Sequence, residues 1–487
     1  MRHLLRFGSA ALVIGLASPL AAQGRAPIYT PGKLDANQQL ARDIYKELIE
    51  INTGMTTGSV TPAANAMAKR FRDAGIPESD IFVGGPRPER FNVVARIHGR
   101  GGPNARKPLL LLAHIDVVEA LKADWSPDLD PFVFTERDGY YYGRGTADDK
   151  AMASIFVANA LRMVREKYVP DRDIIIALTA DEEGGGSNGV DWLLKNHREL
   201  VDAALVINEG GGGTLTGSGM DVKPLFNSIQ AAEKVYQDFT VTAANPGGHS
   251  SVPRPDNAIY ELADALARLA RFSFPVALNP TTRAFFEQTA KVETPETASA
   301  MRALVANPND SAAAAFLSRD LRYASMLRTT CVATRLAGGH AYNALPQTAS
   351  ANVNCRMVPT SSSAETRATL TRVFADTGIK ITNTQATEPD FPKSTPAVDP
   401  ALLAATTDIT KAMFGDIPVV PTMSTGATDS HYLRAVGIPS YGVSGIFSLP
   451  VETNAHGRDE KLRVKSYYDG LEFLDQLVRR LTGGVQP

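Results

Sequence analysis

Cysteine is scarce in this chain. Cys331 and Cys355 are its only two, and neither lies near residue 22, so a lipid anchor behind a leader is not expected. Net charge is scarce as well: Lys+Arg number 50 and Asp+Glu 52, leaving −2 and no bulk field to hold nucleic acid or an anionic membrane. Long apolar runs are missing, since no stretch reaches the ~20 residues that cross a bilayer. The 39 glycines and 31 prolines follow no collagen-like period, and no internal repeat or long low-complexity run stands out. What remains is a composition of 44% hydrophobic and 21% charged residues, which can bury a core and is unlike that of a disordered chain. The 487 residues are about three times the ~150-residue prior for one domain, which predicts two domains or one large domain with an insertion.

Arg2 and Arg6 precede an apolar stretch, Ala10 to Leu16, followed by Pro19 and the small pair Ala21-Ala22. That order predicts a secretory leader over residues 1–22 and an exported protein, periplasmic or secreted. In an oxidising compartment Cys331 and Cys355 could form a disulfide, because they flank two apparent strands, Thr330 to Leu336 and Ala349 to Val358. Two buried free thiols fit the sequence equally well.

Between Gln38 and Ile207 the pattern alternates helices (Gln38 to Ile51, Ala63 to Ala74, Ala151 to Arg165) with short apolar strands (Leu109 to Ala113, Ile174 to Leu178, Ala204 to Ile207). Alternation of this kind predicts an α/β fold, an open and mostly parallel sheet with helices on both faces. The texture changes from Val235: an alternating strand, a helix over Asn257 to Arg271, a polar Ala-rich tract from Pro280 to Tyr323, the two Cys-bearing strands, a helix at Glu365 to Ala375 and a strand near Ile379. It returns with a helix at Pro400 to Phe414, a strand at Pro439 to Val443 and a closing helix at Ser466 to Leu481. The expected organisation is an α/β domain in two parts, 26–232 and 394–487, interrupted by an α+β insertion at 233–393.

Acids and histidines gather where apolar strands end, and in an open α/β sheet the carboxyl ends of the strands form the ligand crevice. Leu109 to Ala113 runs into His114-Ile-Asp116, where an imidazole could bind a metal while the carboxylate two residues on fixes its ring. A hydrogen-bonded strand-end histidine is the plainer explanation of this motif alone. Gly143-Arg-Gly-Thr-Ala-Asp148-Asp149 sets two carboxylates before a helix, where an Asp could bridge two cations or cap the helix. Ile174 to Leu178 leads to Asp181-Glu182-Glu183. Three adjacent acids at a buried strand end repel one another unless cations neutralise them, and one Glu could bind metal while its neighbour takes a proton from water. Glu209 follows a further strand, and His456 supplies a second imidazole. Two His and three carboxylates are the donors that two zinc-like ions sharing one Asp require.

His-x-Asp, Gly-Arg-Gly-Thr-x-Asp-x-Lys, Asp-Glu-Glu-Gly and Gly-Gly-His-Ser together resemble the co-catalytic zinc exopeptidases of family M-twenty, the aminoacylases, glutamate carboxypeptidases and carboxypeptidase S-like enzymes. The resemblance spans nearly all of the chain after the leader. It implies two Zn2+ ions, with Co2+ or Mn2+ as substitutes, one held by His114 and Glu209, the other by Glu183 and His456, bridged by Asp148. Glu182 would be the general base and Asp116 would orient His114. A cis peptide between Asp148 and Asp149 is implied too, and His431 is a competitor for the place of His456. In the lid, His249 resembles an oxyanion donor, Asn343 and Arg356 resemble substrate-binding residues, Arg356 facing a carboxylate, and Gly426 lies in a similar substrate loop.

The expected activity is cleavage of an amide beside a free carboxylate, as a carboxypeptidase or dipeptidase on short peptides, with N-acyl-amino-acid hydrolysis as the alternative. Lids of this family often pair two subunits, so a homodimer through the lid is also an expectation. Two other classes compete. Gly185-Gly-Ser187-Asn-Gly189 satisfies the pattern of a serine nucleophile elbow, and a lid over a cleft also suits a non-catalytic solute-binding protein.

Overall fold

The computed structural model describes residues 28–101, 106–184, 186–384 and 397–483; the leader expected at 1–22 lies outside them. Strands are numbered β1 (Ile81–Gly84), β2 (Asn92–Ile97), β3 (Leu109–His114), β4 (Ile174–Thr179), β5 (Leu205–Asn208), β6 (Gly212–Ser218), β7 (Asp221–Glu233), β8 (Val235–Ala244), β9 (Thr330–Gly338), β10 (Thr348–Met357), β11 (Ile379–Asn383), β12 (Val419–Ser424), β13 (Ser440–Gly442) and β14 (Phe447–Ser448). The helices are α1 (Ala36–Glu50), α2 (Thr61–Asp73), α3 (Lys150–Arg165), α4 (Gly189–Asn196), α5 (Ala258–Arg271), α6 (Pro280–Thr289), α7 (Pro295–Ala306), α8 (Ser311–Leu317), α9 (Leu321–Leu327), α10 (Ser363–Phe374), α11 (Pro400–Phe414), α12 (Ser430–Ala435) and α13 (Val464–Thr482).

The larger sheet runs β1-β2-β4-β3-β5-β13-β7-β6-β14, with β12 beside β7. Its centre, β4-β3-β5-β13, is parallel, whereas β2 and the β6–β7 hairpin pair antiparallel on either side. The unbroken apolar runs of β3 and β4 follow from burial on both faces. Leu109 and Leu111 pack with α1, α2, α3, α11 and α13, while Leu110 and Leu112 pack with α4 and α12. Each such aliphatic side chain contributes roughly 1.5–3 kcal/mol when fully buried. This α/β sheet, helices on both faces, is the expected fold class, and its antiparallel flanks were not foreseen.

A second sheet, β9-β10-β8-β11, is antiparallel throughout. One face carries Phe239, Val241, Val353 and Met357 against α5 and α10. Cys331 and Cys355 are directly opposite in the β9–β10 pair and are joined by a disulfide, Cα to Cα 4.1 Å. The tract expected as polar and Ala-rich, Pro280 to Tyr323, instead folds into α6 to α9. Asn279, Thr294, Asp310 and Asp320 cap their N-termini through side-chain oxygens. Those helices bury Phe286, Met301, Leu304 and Leu317 together with Val420 of β12, so the tract buttresses the larger sheet.

Candidate metal centre

Strand ends deliver the centre's side chains. His114 closes β3, Glu182 and Glu183 follow β4, and Glu209 follows β5; these parallel neighbours all end at the same sheet edge. Asp148 comes from the glycine-punctuated loop before α3, where the peptide to Asp149 is cis. His456 comes from the loop before α13, in left-handed backbone with φ of 62°.

Asp148 stands between the two imidazoles: Oδ1 lies 3.0 Å from His114 Nε2 and Oδ2 lies 3.1 Å from His456 Nε2. Glu209 Oε2 is 3.7 Å from His114 Nε2, and Glu183 Oε1 is 2.9 Å from His456 Nε2. Ligand atoms of His114, Asp148 and Glu183 lie within 4.8 Å of one another, as do those of His114, Asp149 and Glu209. Glu183 Oε1, despite its nearness to His456, is off the line of a hydrogen bond; it, Glu209 Oε1 and Asp149 Oδ2 are buried without a hydrogen-bond partner. Unpartnered anionic oxygens around two imidazoles are costly in a protein interior and suit divalent cations. The residues present therefore fit a pair of metal ions.

The electrostatics agree. Burial opposes charge on Asp148, yet the bonds from His114 and His456 outweigh it and hold the carboxyl below its ordinary range. The same contacts, Asp148 first and Glu183 next, push His456 up to about 10. Burial, then the Glu209 charge, raises the Glu182 carboxyl to about 11, and burial raises Glu209 to about 7. Crowded acids keep protons that cations would displace.

Asp116 stays beside the His114 ring and has a second contact as well. His114 Nδ1 is closer to the Asp116 main-chain carbonyl, at 3.1 Å, than to its carboxylate, at 3.5 Å. The carboxylate also accepts from the Glu182 and Glu183 amides, at 3.2 and 3.1 Å, and so ties the histidine strand to the acidic loop. The expected repulsion among three acids is also smaller, because Asp181 turns away and pairs with Arg87 and Arg90 at 3.0 and 3.1 Å. Capping by Asp149 is not found: no side-chain bond caps α3 there.

Sequence reasoning missed Glu460 and Asp429. Glu460 is buried, pairs with Arg144 at 2.7 Å and accepts from the amides of Gly145, Ala147 and Asp148. Arg144 also donates to the His456 and Gly457 carbonyls, so this pair clips the His456 loop to the Asp148 loop. Asp429 accepts from Thr179 and Asn188, which flank the acidic loop. A carboxylate four residues after His456 was the available signal for Glu460, and for Asp429 it was the place three residues after Gly426 in the expected substrate loop. His431, on α12, lies against the Tyr432 ring, with ring centres 4.0 Å apart and the planes tilted by 33°.

His249 lies on an exposed two-residue strand paired with Ala344 and Leu345. Its Nδ1 accepts from the Ser251 amide at 3.2 Å, and the Asn343 carbonyl accepts from Ser250. Arg356, half-buried at the end of β10, sits 4.6 Å from the Tyr236 ring centre, and Gly426 donates to Ser424 Oγ. None of these four touches the ligand cluster in the described contacts. Ser187 falls well past the end of β4 and before α4, not on a tight strand-to-helix turn.

Comparison with known proteins supports the same chemistry. The chain is 29% identical over 396 residues to human N-fatty-acyl-amino acid synthase/hydrolase PM20D1, covering 80% of this chain and 77% of that one. It is 28% identical over 405 residues to the probable carboxypeptidase S-like 2 of Dictyostelium discoideum, 80% and 75% covered. Its fold is similar to that of an M20 family metallo-carboxypeptidase from Sulfolobus solfataricus, with TM-score 0.63 at 19% identity over 92% of this chain and 99% of that one. The family model for Peptidase family M20/M25/M40 matches residues 110–480, from the strand that ends in His114 into the last helix, and the chain accordingly belongs to that family, as a metal-dependent peptidase or amidohydrolase.

Proposed function

We propose that this protein uses two zinc ions to hydrolyse an amide whose leaving amine belongs to an amino acid with a free carboxylate, as a carboxypeptidase or dipeptidase on short peptides. The observation that carries the reading is the Asp148 carboxylate, which turns one oxygen to each of two imidazoles. His114 and Glu209 would hold one ion, Glu183 and His456 the other, with Asp148 shared. The ions would supply positive charge that polarises the scissile carbonyl and acidifies water. Glu182, beside the ligands and bound to neither imidazole, takes the proton from the attacking water and returns it to the departing amine. Water oxygen joins the carbonyl carbon as the C–N bond breaks. His249 donates to the developing oxyanion when the lid, the unit built on the sheet β9-β10-β8-β11 with α5 and α10, is over the cleft, and Arg356 holds the substrate carboxylate.

Hydrolysis of N-acyl amino acids is a second reading, favoured by relatives named N-fatty-acyl-amino acid synthase/hydrolase and aminoacylase-1. Export is supported by the apolar leader pattern and by the Cys331–Cys355 bond, which suits an oxidising compartment. Pairing of two copies through the lid is supported by β9, an edge strand with Val332 and Leu336 exposed.

The test is a screen of dipeptides and N-acyl amino acids with free or blocked C-termini, alongside metal analysis of the wild type and Glu182→Gln. Two ions per chain, turnover only with a free carboxylate, and a kcat lower by about 10²–10⁴ in metal-loaded Glu182→Gln are expected. Full turnover by that variant removes Glu182 from the mechanism.

A further inference from the structure

Strand parity assigns a second set of side chains to one face. In β10 the odd positions, from Ala349 to Met357, are buried against α5 and α10, so Arg356 projects from the opposite face. Its cross-strand partners are Tyr236 on one side and Thr330 on the other. Lys234, two residues before Tyr236, reaches the same place, with Nζ 3.2 Å from Thr330 Oγ1. Arg328 is extended and two residues before Thr330, which turns it to that face as well.

Three cations thus meet where the two sheets join, and among the described residues no carboxylate forms an ion pair with any of them. Lys234 is 1% exposed and bonds to a threonine hydroxyl; Arg328 bonds to Ser318 Oγ at 3.4 Å and keeps a buried Nε without a partner; Arg356 lies over the Tyr236 ring. An acid on the same face, Asp238, already accepts from the Tyr236 hydroxyl at 2.6 Å and from Asn352 and Asn354 at 2.9 Å. Burial, then the Arg356 and Arg328 charges, pushes Lys234 down to about 8. The chain links this place to the centre: the Lys234 amide donates to the Ser424 carbonyl at 3.0 Å, and Asp429, five residues on, accepts from Thr179 and Asn188 on either side of the acidic loop.

We propose that Lys234, Arg328 and Arg356 form one anion subsite and that it selects substrates whose C-terminal residue carries a second carboxylate, an aspartate- or glutamate-like side chain. The inference rests on the reading of the cleft as an amidohydrolase site for a free carboxylate. One main-chain carboxylate would still leave excess positive charge in a poorly solvated place. Two carboxylates come closer to neutrality, and guanidinium forks match both.

Hydrolysis of N-acetyl-L-glutamate and N-acetyl-L-glutamine, with calorimetric binding of free L-glutamate and L-glutamine, tests this in the wild type, Lys234→Met and Arg328→Met. The wild type should favour the glutamate compound by at least about tenfold in KM, and each variant should lose that preference in KM while kcat changes little. Equal treatment of the two compounds by the wild type, or a preference kept by both variants, overturns the subsite. If neither compound is hydrolysed yet L-glutamate binds more tightly than L-glutamine in a Lys234-dependent way, the subsite stands and the proposed reaction falls. If neither hydrolysis nor selective binding is seen, the subsite falls too.

Discussion

At the scale of single residues, Glu460 shows how a side chain that binds no metal can set the geometry of those that would. Its carboxylate holds Arg144 and three amides of the loop bearing Asp148, while Arg144 holds the loop bearing His456. Replacing Glu460 by Ala strands a buried guanidinium and should cost about 3–5 kcal/mol of stability in urea unfolding, with weaker retention of metal on dialysis. Unchanged stability would show that water replaces the clip. Lys234 offers a pH signature. Its folded value of about 8 lies below the ordinary 10.5, so between the two the unfolded chain binds more protons and stability rises with pH. The cost is complete below about 8. Lys234→Met should flatten that slope and add up to about 3 kcal/mol at pH 7, read by urea unfolding at pH 7 and 10.

The residue scale is also where the sequence was most legible. His114, Asp148, Glu183 and Glu209 were found because each ends a strand or follows a glycine-rich turn, a pattern visible in one dimension. The structure brings them together with His456. Asp116 was read as a partner of the His114 ring, and its carboxylate, 3.5 Å from Nδ1, also serves two amides of another loop, partners that no local pattern reveals. Glu460 and Asp429 were missed for the same reason: their roles lie in contacts with segments hundreds of residues away.

Among elements, β9 and β10 depend on a cross-link. Both strands were expected, but the pairing of Cys331 with Cys355 needed their register, and the structure supplies it. The bond closes a separation of 24 residues, so Cys331→Ala/Cys355→Ala should lose about 3 kcal/mol in urea unfolding by the chain-entropy estimate. A loss well under 1 kcal/mol would mean that the core of α5 and α10 fixes these strands unaided. The helices α6 to α9 mark the opposite case. They are short, α7 and α8 are Ala-rich, and the caps of all four went unread because Asn, Thr and Asp serve equally as loop residues.

For the molecule as a whole, the governing feature is a pocket of acids and imidazoles in which buried carboxylate oxygens of Asp149, Glu183 and Glu209 have no hydrogen-bond partner. Dialysis against a chelator should abolish hydrolysis, and Zn2+ or Co2+ should restore it. Because cations bind the native centre in preference to the unfolded chain, saturation should add about 4 kcal/mol at a thousandfold excess over Kd, seen as a rise in thermal midpoint. A midpoint indifferent to chelation would separate these side chains from metal binding.

The amino-acid sequence by itself determined the α/β class, the strand ends that carry the candidate ligands, the family and the kind of donor, since apolar periodicity and short motifs are local properties. Tertiary structure alone decided the antiparallel flanks, the disulfide register, the Glu460–Arg144 clip and the gathering of Lys234, Arg328 and Arg356. These depend on which face a strand turns and which distant loop lies beside it, and such relations arise only when the chain closes on itself.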